Sequence, residues 1–231
     1  SALVEFPDGR RWLIDGGPPG KQLLHWLRRR GVRSLDAVYL THPDMDHLGG
    51  LIPVLESISV GTLWSSRRPY DDEPVFHNFW RDAALRGTEL KVQGNTHTEN
   101  DNENSLVLRL RHGQHQFLLT GDIGAQTEQK MLPFLVHFDV LQVPHHGSNG
   151  SSTNKFIQKI NPEYAVIQSG RGNRYGHPHP QVIERLKSKN LLRTDLFGSV
   201  SFRSDGSNLW VRTTWSANEQ KKNGNYDHVK R

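Results

Sequence analysis

The chain has 231 residues, enough to bury a full hydrophobic core in one large domain or two small ones. Lys and Arg outnumber Asp and Glu by 29 to 24, which gives a formal net charge of +5 at pH 7 and favours a polyanionic partner. The absence of cysteine excludes disulfide bonds and Cys-ligated zinc. The sequence has no signal-peptide pattern and no apolar run of bilayer-spanning length, so we expect the chain as given to be soluble.

Strand and helix patterns alternate through the first quarter of the chain. Two apolar runs flank the turn sequence Pro7-Asp8-Gly9 and predict a hairpin over residues 2–6 and 11–15. Asp15 ends this hairpin, where its carboxylate would hydrogen-bond a neighbouring metal loop, and the two glycines after it allow a close approach of backbone. Further patterns predict an amphipathic helix over 21–30, a buried strand over 36–40 and a helix over 51–57.

Four side chains that bind metals follow the strand over 36–40 within six residues: His42, Asp44, Asp46 and His47. Imidazole and carboxylate groups at the carboxyl end of a strand are the ligand set of a catalytic divalent ion. His42 and Asp44 alternate along extended chain and would face one metal position, while Asp46 and His47 straddle the turn into the helix and would face a second. The loop would therefore supply one or two ions. The alternative is an acidic helix N-terminus with incidental histidines.

The middle of the chain continues the alternation and brings a second carboxylate to the end of a strand. The patterns predict a strand over 61–64, a helix over 73–86, a strand over 89–92, a polar loop over 94–104 and a hairpin over 105–110 and 115–120. Asp122 follows this hairpin after Gly121 and would bridge two ions that share one hydrolytic water. The alternative for Asp122 is a turn residue that caps a helix beginning near Ala125.

Two further motifs follow apolar strands in the second half. His145 and His146 follow a strand over 139–143, and because adjacent side chains of an extended chain project to opposite sides, one would ligate a metal while the other contacts substrate or donates a proton. Arg174, Tyr175 and His177 follow a strand over 163–168, in a loop suited to neutralising a phosphate and protonating a leaving oxygen. A turn in which His177 caps the next helix is the alternative. Ser148 and Asn173 complete the candidate substrate-binding residues.

Terminal hairpins with alternating strands and helices between them predict an α/β protein with two mixed sheets covered by helices. The remaining patterns predict helices over 152–160 and 181–189 and a closing hairpin over 198–203 and 208–213. No composition shift marks a linker, so we expect one domain over residues 1–215. Residues 216–231 are polar and charged with almost no apolar side chains, and they predict a disordered tail.

The motifs in this order resemble the metallo-β-lactamase superfamily. Within it they resemble the carboxy-terminal lactamase-like domain of the ComEC DNA-internalisation competence family. The motifs are His42-x-Asp44-x-Asp46-His47 before Leu-Gly-Gly, Asn104 to Leu108, Thr120-Gly121-Asp122, His145-His146-Gly147-Ser148, and Asn173 to Pro178. The resemblance covers residues 1 to about 213. It implies an αββα four-layer sandwich and a metal-dependent hydrolase.

The resemblance also implies a ligand set. His42, Asp44 and Asp122 would hold one ion, and Asp46, His47, Asp122 and His146 the other; the superfamily's late histidine setting favours His146 over His145 as ligand. Asp44 stands where the superfamily usually has a second histidine, and the histidine expected near residues 101–104 is absent. Because this set is rich in oxygen, manganese is the favoured ion, with zinc or magnesium as alternatives.

The function implied by the resemblance is degradation of the DNA strand that is not imported during natural transformation. Asp46 would orient the attacking water, and either His177 or His145 would protonate the departing oxygen. The partners would be single-stranded DNA, bound without sequence preference, and the membrane channel portion of a longer inner-membrane protein, with this domain on the exported face. A small-molecule hydrolase of the same superfamily and a non-catalytic DNA-binding module are the competing hypotheses.

Overall fold

Strands and helices occupy most of the residues that the computed structural model describes, which are 1–93 and 100–215. The predicted tail over 216–231 and residues 94–99 of the predicted polar loop lie outside these ranges. Within them, no helix has both the length and the apolar character that a membrane crossing requires. The chain divides into two compact units, which meet in sequence at Leu106 and Val107.

A five-stranded sheet organises the first unit, with its strands in sequence order: β1 (Ala2–Glu5), β2 (Arg11–Ile14), β3 (Ser34–Leu40), β4 (Ser59–Ser65) and β5 (Glu89–Val92). β1 is antiparallel to β2, and the other neighbours are parallel. Carboxyl ends of parallel strands share one edge of a sheet, which is where open sheets place their ligands. Asp15 directly follows β2, and the segment 41–47 directly follows β3, so both lie at this edge.

Four helices cover this sheet: α1 (Gln22–Arg29), α2 (Met45–Leu48), α3 (Leu51–Ser57) and α4 (Pro74–Leu85). The apolar stripe predicted for α1 is buried through Leu24 and Leu27. These side chains pack in one core with strand and helix residues such as Leu13, Leu40 and Leu63. Burial of each leucine contributes about 1.5–3 kcal/mol, so this core fixes the strand ends that carry the polar loops.

The second unit has its own five-stranded sheet, in the order β10-β9-β8-β7-β6. Its strands are β6 (Leu108–His112), β7 (His115–Leu119), β8 (Val140–Gln142), β9 (Tyr164–Ile167) and β10 (Asn190–Arg193). β6 is antiparallel to β7, and the others are parallel. The helices are α5 (Ala125–Met131), α6 (Asn154–Ile160), α7 (Pro180–Arg185) and α8 (Thr194–Phe197). Asp122, His145 and the loop 171–177 follow β7, β8 and β9 respectively, at the carboxyl edge of this sheet.

A separate antiparallel hairpin ends the described chain, formed by β11 (Val200–Ser204) and β12 (Leu209–Thr213). Phe202 of β11 contacts Phe117 of β7 and Tyr164 of β9, with ring centroids 6.3 Å and 5.5 Å apart. The hairpin therefore packs one face against the second unit's sheet.

The expected α/β class with mixed sheets and helices is confirmed, and two local predictions are wrong. The predicted strand 105–110 begins three residues later, at Leu108, because Ser105 and Leu106 bond to the loop after β3; the Leu106 amide donates to the Thr41 carbonyl at 3.0 Å. The strand instead runs on to His112, which pairs with His115 across a two-residue turn. The helix predicted to reach residue 189 ends at Arg185, and the sequence patterns did not predict β10 or α8.

Candidate functional site

The buried carboxylate of Asp15 organises the loop that follows β3. Its Oδ1 accepts the Thr41 amide at 2.8 Å, and its Oδ2 accepts the Thr41 hydroxyl at 2.8 Å and lies 2.8 Å from Nδ1 of His47. Burial acts to raise the pKa of Asp15, but the charges and hydrogen bonds of His47 and its neighbours outweigh it and hold this pKa below its usual value. Asp15 thus accepts the Nδ1 proton of His47 and places the imidazole lone pair on Nε2, as a carboxylate does behind a metal-binding histidine. The predicted hydrogen bonding of Asp15 to this loop is confirmed.

His42 is fully buried with an imidazole nitrogen suited to a metal. Its Nδ1 lies 3.2 Å from the Thr41 hydroxyl and 3.3 Å from the Ser105 hydroxyl. Its Nε2 is buried and has no hydrogen-bond partner among the described residues. The ring centroids of His42 and His47 are 4.0 Å apart. A buried ring nitrogen without a partner costs free energy, and a bound cation would satisfy it. The lone pair of an imidazole nitrogen at this position would fit a divalent metal.

The two aspartates of the loop are exposed at the start of α2. Asp44 occupies the N-cap position, but its side chain makes no capping hydrogen bond. Its Oδ2 lies 3.6 Å from Nε2 of His42, and this imidazole lowers the pKa of the Asp44 carboxyl. Asp46 lies in the first turn of α2. Asp44 therefore lies beside His42, and its role as a metal ligand stays a prediction. Both aspartates also lie at the start of α2, as the alternative of an acidic helix N-terminus expects.

Two glycines hold this loop against the end of β2. A Cβ atom on Gly16 would lie 2.2 Å from the Leu51 amide nitrogen, and one on Gly50 would lie 2.1 Å from the Gly16 carbonyl oxygen. The Gly16 amide donates to the His47 carbonyl at 2.6 Å. Side chains at either glycine would force these backbones apart. The close approach keeps Asp15 within reach of His47.

In the second unit, Asp122 and two histidines form another cluster. Asp122 is 3% exposed. Its Oδ2 lies 3.4 Å from Nε2 of His146 and 3.9 Å from Nε2 of His145. Nδ1 of His146 lies 2.8 Å from the Gln168 carbonyl, to which it donates, so the lone pair of His146 is on Nε2 and faces Asp122. The residue that caps α5 by position is Gly124, so the capping role considered for Asp122 is wrong.

The histidine loop has an unusual backbone. His145 and His146 have φ values of 50° and 53°, in the left-handed region where residues other than glycine cost about 1–3 kcal/mol. The expectation that they project to opposite sides is wrong, because that argument requires extended backbone and here both Nε2 atoms lie within 4 Å of one Asp122 oxygen. The His145 amide donates to the Gly121 carbonyl at 3.1 Å and fixes this loop beside Asp122. The geometry of His146 matches the ligand preference drawn from the resemblance.

The loop after β9 brings an aromatic and basic group next to these histidines. The ring of His177 lies 6.0 Å from His145 and stacks on Tyr175, also at 6.0 Å. A guanidinium nitrogen of Arg174 donates to the Tyr175 hydroxyl at 2.6 Å, and Tyr175 is 61% exposed. Burial lowers the pKa of His177, and His145 and His146 lower it further. The residue that caps α7 is His179, which accepts the Gln181 amide, so the capping role considered for His177 is wrong.

The remaining two candidates have local structural contacts. Asn173 spans its own loop: its Nδ2 donates to the His177 carbonyl at 2.6 Å, and its Oδ1 accepts the His177 amide at 3.0 Å. The hydroxyl of Ser148 accepts the Gly150 amide at 3.4 Å. Asn173 thus positions His177, and the substrate-binding role of both residues stays a prediction.

The sequence patterns did not predict two sets of carboxylate interactions that support these loops, one half-buried and one fully buried. Arg67 donates two hydrogen bonds to Glu73, of 2.5 Å and 2.6 Å, and two to Asp101, of 2.6 Å and 2.7 Å. The bonds to Asp101 anchor the segment that contains Ser105, whose hydroxyl lies against His42. Fully buried Glu128 accepts the amides of Ser152 and Thr153 and anchors the segment after the histidine loop. Asp101 lies 34 positions from Arg67, and Ser152 lies 24 positions from Glu128, so no local motif marks these contacts.

Comparisons with known proteins agree with these features. The family model described as the metallo-beta-lactamase superfamily matches residues 1–171, and the chain therefore belongs to this superfamily of metal-dependent hydrolases. The fold class and superfamily inferred from the motifs are confirmed.

Three longer bacterial proteins are also similar to this chain. It is 33% identical to ComE operon protein 3 of Bacillus subtilis (strain 168), over 79% of this chain and 26% of that protein. It is 36% identical to Recombination protein 2 of Haemophilus influenzae, over 79% of this chain and 24% of that protein. It is 35% identical to Competence protein ComA of Neisseria gonorrhoeae, over 76% of this chain and 26% of that protein. The chain spans about a quarter of the length of these relatives.

Proposed function

We propose that the chain is a metal-dependent phosphodiesterase that degrades single-stranded DNA without sequence preference, as removal of the non-transported strand requires during natural transformation. The observation that carries the metal-binding part is the orientation of two histidines. Asp15 fixes Nδ1 of His47, the Gln168 carbonyl fixes Nδ1 of His146, and in both rings Nε2 is the atom that can bind a cation. The competence-named relatives support the nucleic-acid part.

The proposed ligands include a carboxylate shared by two ions. We assign His42, Asp44 and Asp122 to one ion and Asp46, His47, Asp122 and His146 to the other. This set has three carboxylates and three imidazoles, and its oxygen content favours manganese, with zinc or magnesium as alternatives. When bound, the ions supply an acidified water and stabilise the charge that develops on the phosphate.

The chain's own residues would perform the proton transfers and hold the substrate. Asp46 orients the attacking water through its exposed carboxylate at the start of α2. His177 or His145 protonates the departing oxygen; the lowered pKa of His177 keeps it neutral until an anionic phosphate nearby acts to raise that pKa. Arg174 neutralises the phosphate, and Tyr175 offers an exposed ring to a base.

The wider setting of the reaction is also part of the proposal. The relatives are about four times as long as the matched segment, and we propose that this domain belongs to an inner-membrane protein whose channel portion is its partner. The domain would then act on the exported face, where the incoming DNA arrives. The net charge of +5 favours a polyanion and predicts binding that weakens with salt.

The test is a matrix of substrates against metals for the full chain. We expect cleavage of a single-stranded oligonucleotide with manganese, slower cleavage of the matched duplex and no sequence preference. Hydrolysis confined to a phosphorylcholine ester or a lactone would instead show a small-molecule hydrolase. A chain that binds DNA but cleaves no substrate with any of the three metals would be a non-catalytic binding module.

A further inference from the structure

The hairpin β11–β12 has an inner face, which packs on the sheet of the second unit, and an outer face on the opposite side. Phe202 is directed to the sheet of the second unit, where it contacts Phe117 and Tyr164. Because side chains alternate along a strand, Ser201 and Arg203 project to the opposite side. Both are exposed.

The outer face carries two arginines and a tryptophan. Arg203 lies opposite Trp210 in the register of the hairpin, and Ser201 lies opposite Arg212. Trp210 is 50% exposed. Within the described ranges, neither Arg203 nor Arg212 forms an ion pair. An exposed indole beside guanidinium groups that form no ion pair suits a ligand with both aromatic rings and negative charge.

A second arginine and aromatic pair joins the hairpin to the loop of His177. The guanidinium of Arg171 lies over the ring of Trp215, 4.4 Å from its centroid, just beyond the end of β12. Arg171 also donates to the Asp195 carbonyl at 2.8 Å, which fixes it at the base of the loop that carries Arg174 and Tyr175. The described part of the second unit thus includes three such arginine–aromatic pairs: Arg174 with Tyr175, Arg171 with Trp215, and Arg203 with Trp210.

We propose that the outer face of the β11–β12 hairpin is a binding surface for single-stranded polynucleotide, separate from the residues that cleave it. Trp210 stacks on a base, and Arg203 and Arg212 contact the flanking phosphates. The face offers one indole among hydroxyl and guanidinium groups, which is too little apolar area for insertion into a lipid surface. This inference rests on the proposed function for its substrate class and extends the contact to a surface that takes no part in the chemistry.

The test measures binding by fluorescence anisotropy, with a labelled oligothymidylate and the full chain without added metal, so that the strand stays intact. We expect Trp210→Ala to weaken binding by about fivefold to a hundredfold, the range for loss of one stacked base. The double variant Arg203→Ala/Arg212→Ala should lower the slope of log K against log salt by about 1.4, which corresponds to two phosphate contacts.

Matched controls come from the same unit. Phe134→Ala removes an aromatic side chain that is 75% exposed, and Lys155→Ala/Lys159→Ala removes two exposed charges from α6. Both controls should bind like the wild type. Manganese-supported hydrolysis of a thymidine dinucleotide should be unchanged in the Trp210 variant, because Trp210 takes no part in the proposed chemistry.

The outcomes separate this inference from the proposed function. Wild-type affinity in both hairpin variants, or no oligothymidylate binding by the wild type, would overturn the inference. So would variants that lose binding to phosphatidylglycerol vesicles but keep it to the oligonucleotide, since the surface would then recognise lipid. A chain that binds through the hairpin but cleaves neither substrate would refute the phosphodiesterase while supporting the binding surface.

Discussion

Replacement of Asp15 by Asn tests whether the carboxylate behind His47 tunes metal binding. The amide keeps the shape but has one acceptor oxygen where the carboxylate has two. Asp15 accepts the Thr41 amide at one oxygen and bonds the Thr41 hydroxyl and His47 at the other, so at least one buried donor loses its partner. A buried unsatisfied donor costs about 1–3 kcal/mol of unfolding free energy. Loss of a carboxylate behind a ligating histidine typically weakens metal affinity about 10–100-fold.

The assay combines manganese titration calorimetry with urea unfolding. We expect Asp15→Asn to lower both manganese affinity and stability by these amounts. The matched control is Asp36→Asn, since Asp36 accepts the Arg11 amide at 2.7 Å in the same unit but at an exposed position. The control should leave manganese affinity unchanged. If Asp15→Asn were less stable yet bound manganese like the wild type, Asp15 would be a structural residue and the argument from its contact with His47 would fail.

Three further predictions concern Arg67, its partner Glu73 and the buried carboxylate of Glu128. Arg67→Met should cost about 1–3 kcal/mol in urea unfolding because it leaves two half-buried carboxylates without their cation, whereas Arg81→Met at an exposed pair should cost less than about 1 kcal/mol. Arg67 holds the pKa of Glu73 below its usual 4.5, so this pair stabilises the fold above pH 4.5 and the stabilisation is lost as pH falls through the lowered pKa. Glu73→Gln should therefore reduce the fall in unfolding free energy at acid pH, measured by urea unfolding across a pH series. Glu128→Gln should lower the thermal midpoint, with about 1–3 kcal/mol lost, because its carboxylate accepts two buried amides; an unchanged midpoint would contradict this.

Regular elements followed closely from the sequence where local patterns were strong. α3 (Leu51–Ser57) and β5 (Glu89–Val92) have the bounds that their apolar patterns predict. β10 (Asn190–Arg193) has only two apolar residues and is held in the sheet by parallel pairing with β9. Its pairing is a tertiary effect, which a local pattern does not contain.

The candidate site shows the same division between local and tertiary information. Asp15 could be predicted as a partner of the metal loop because it ends a strand beside glycines. The left-handed conformation of His145 and His146 could not, because non-glycine residues adopt it only where surrounding contacts compensate its cost. The bonds from Arg67 to Asp101 join residues 34 positions apart. They explain why the segment near Asp101, where the superfamily has a histidine, contributes a structural carboxylate in this chain.

The most direct test of the proposed hydrolase is manganese-dependent cleavage of a single-stranded oligonucleotide by three proteins: the wild type, Asp46→Ala and a matched control, Asp71→Ala, which removes another exposed aspartate of the first unit. We expect cleavage by the wild type and the control, and a rate at least about a hundredfold lower for Asp46→Ala, as for loss of a group that orients the attacking water. Cleavage by Asp46→Ala at the wild-type rate would contradict this expectation.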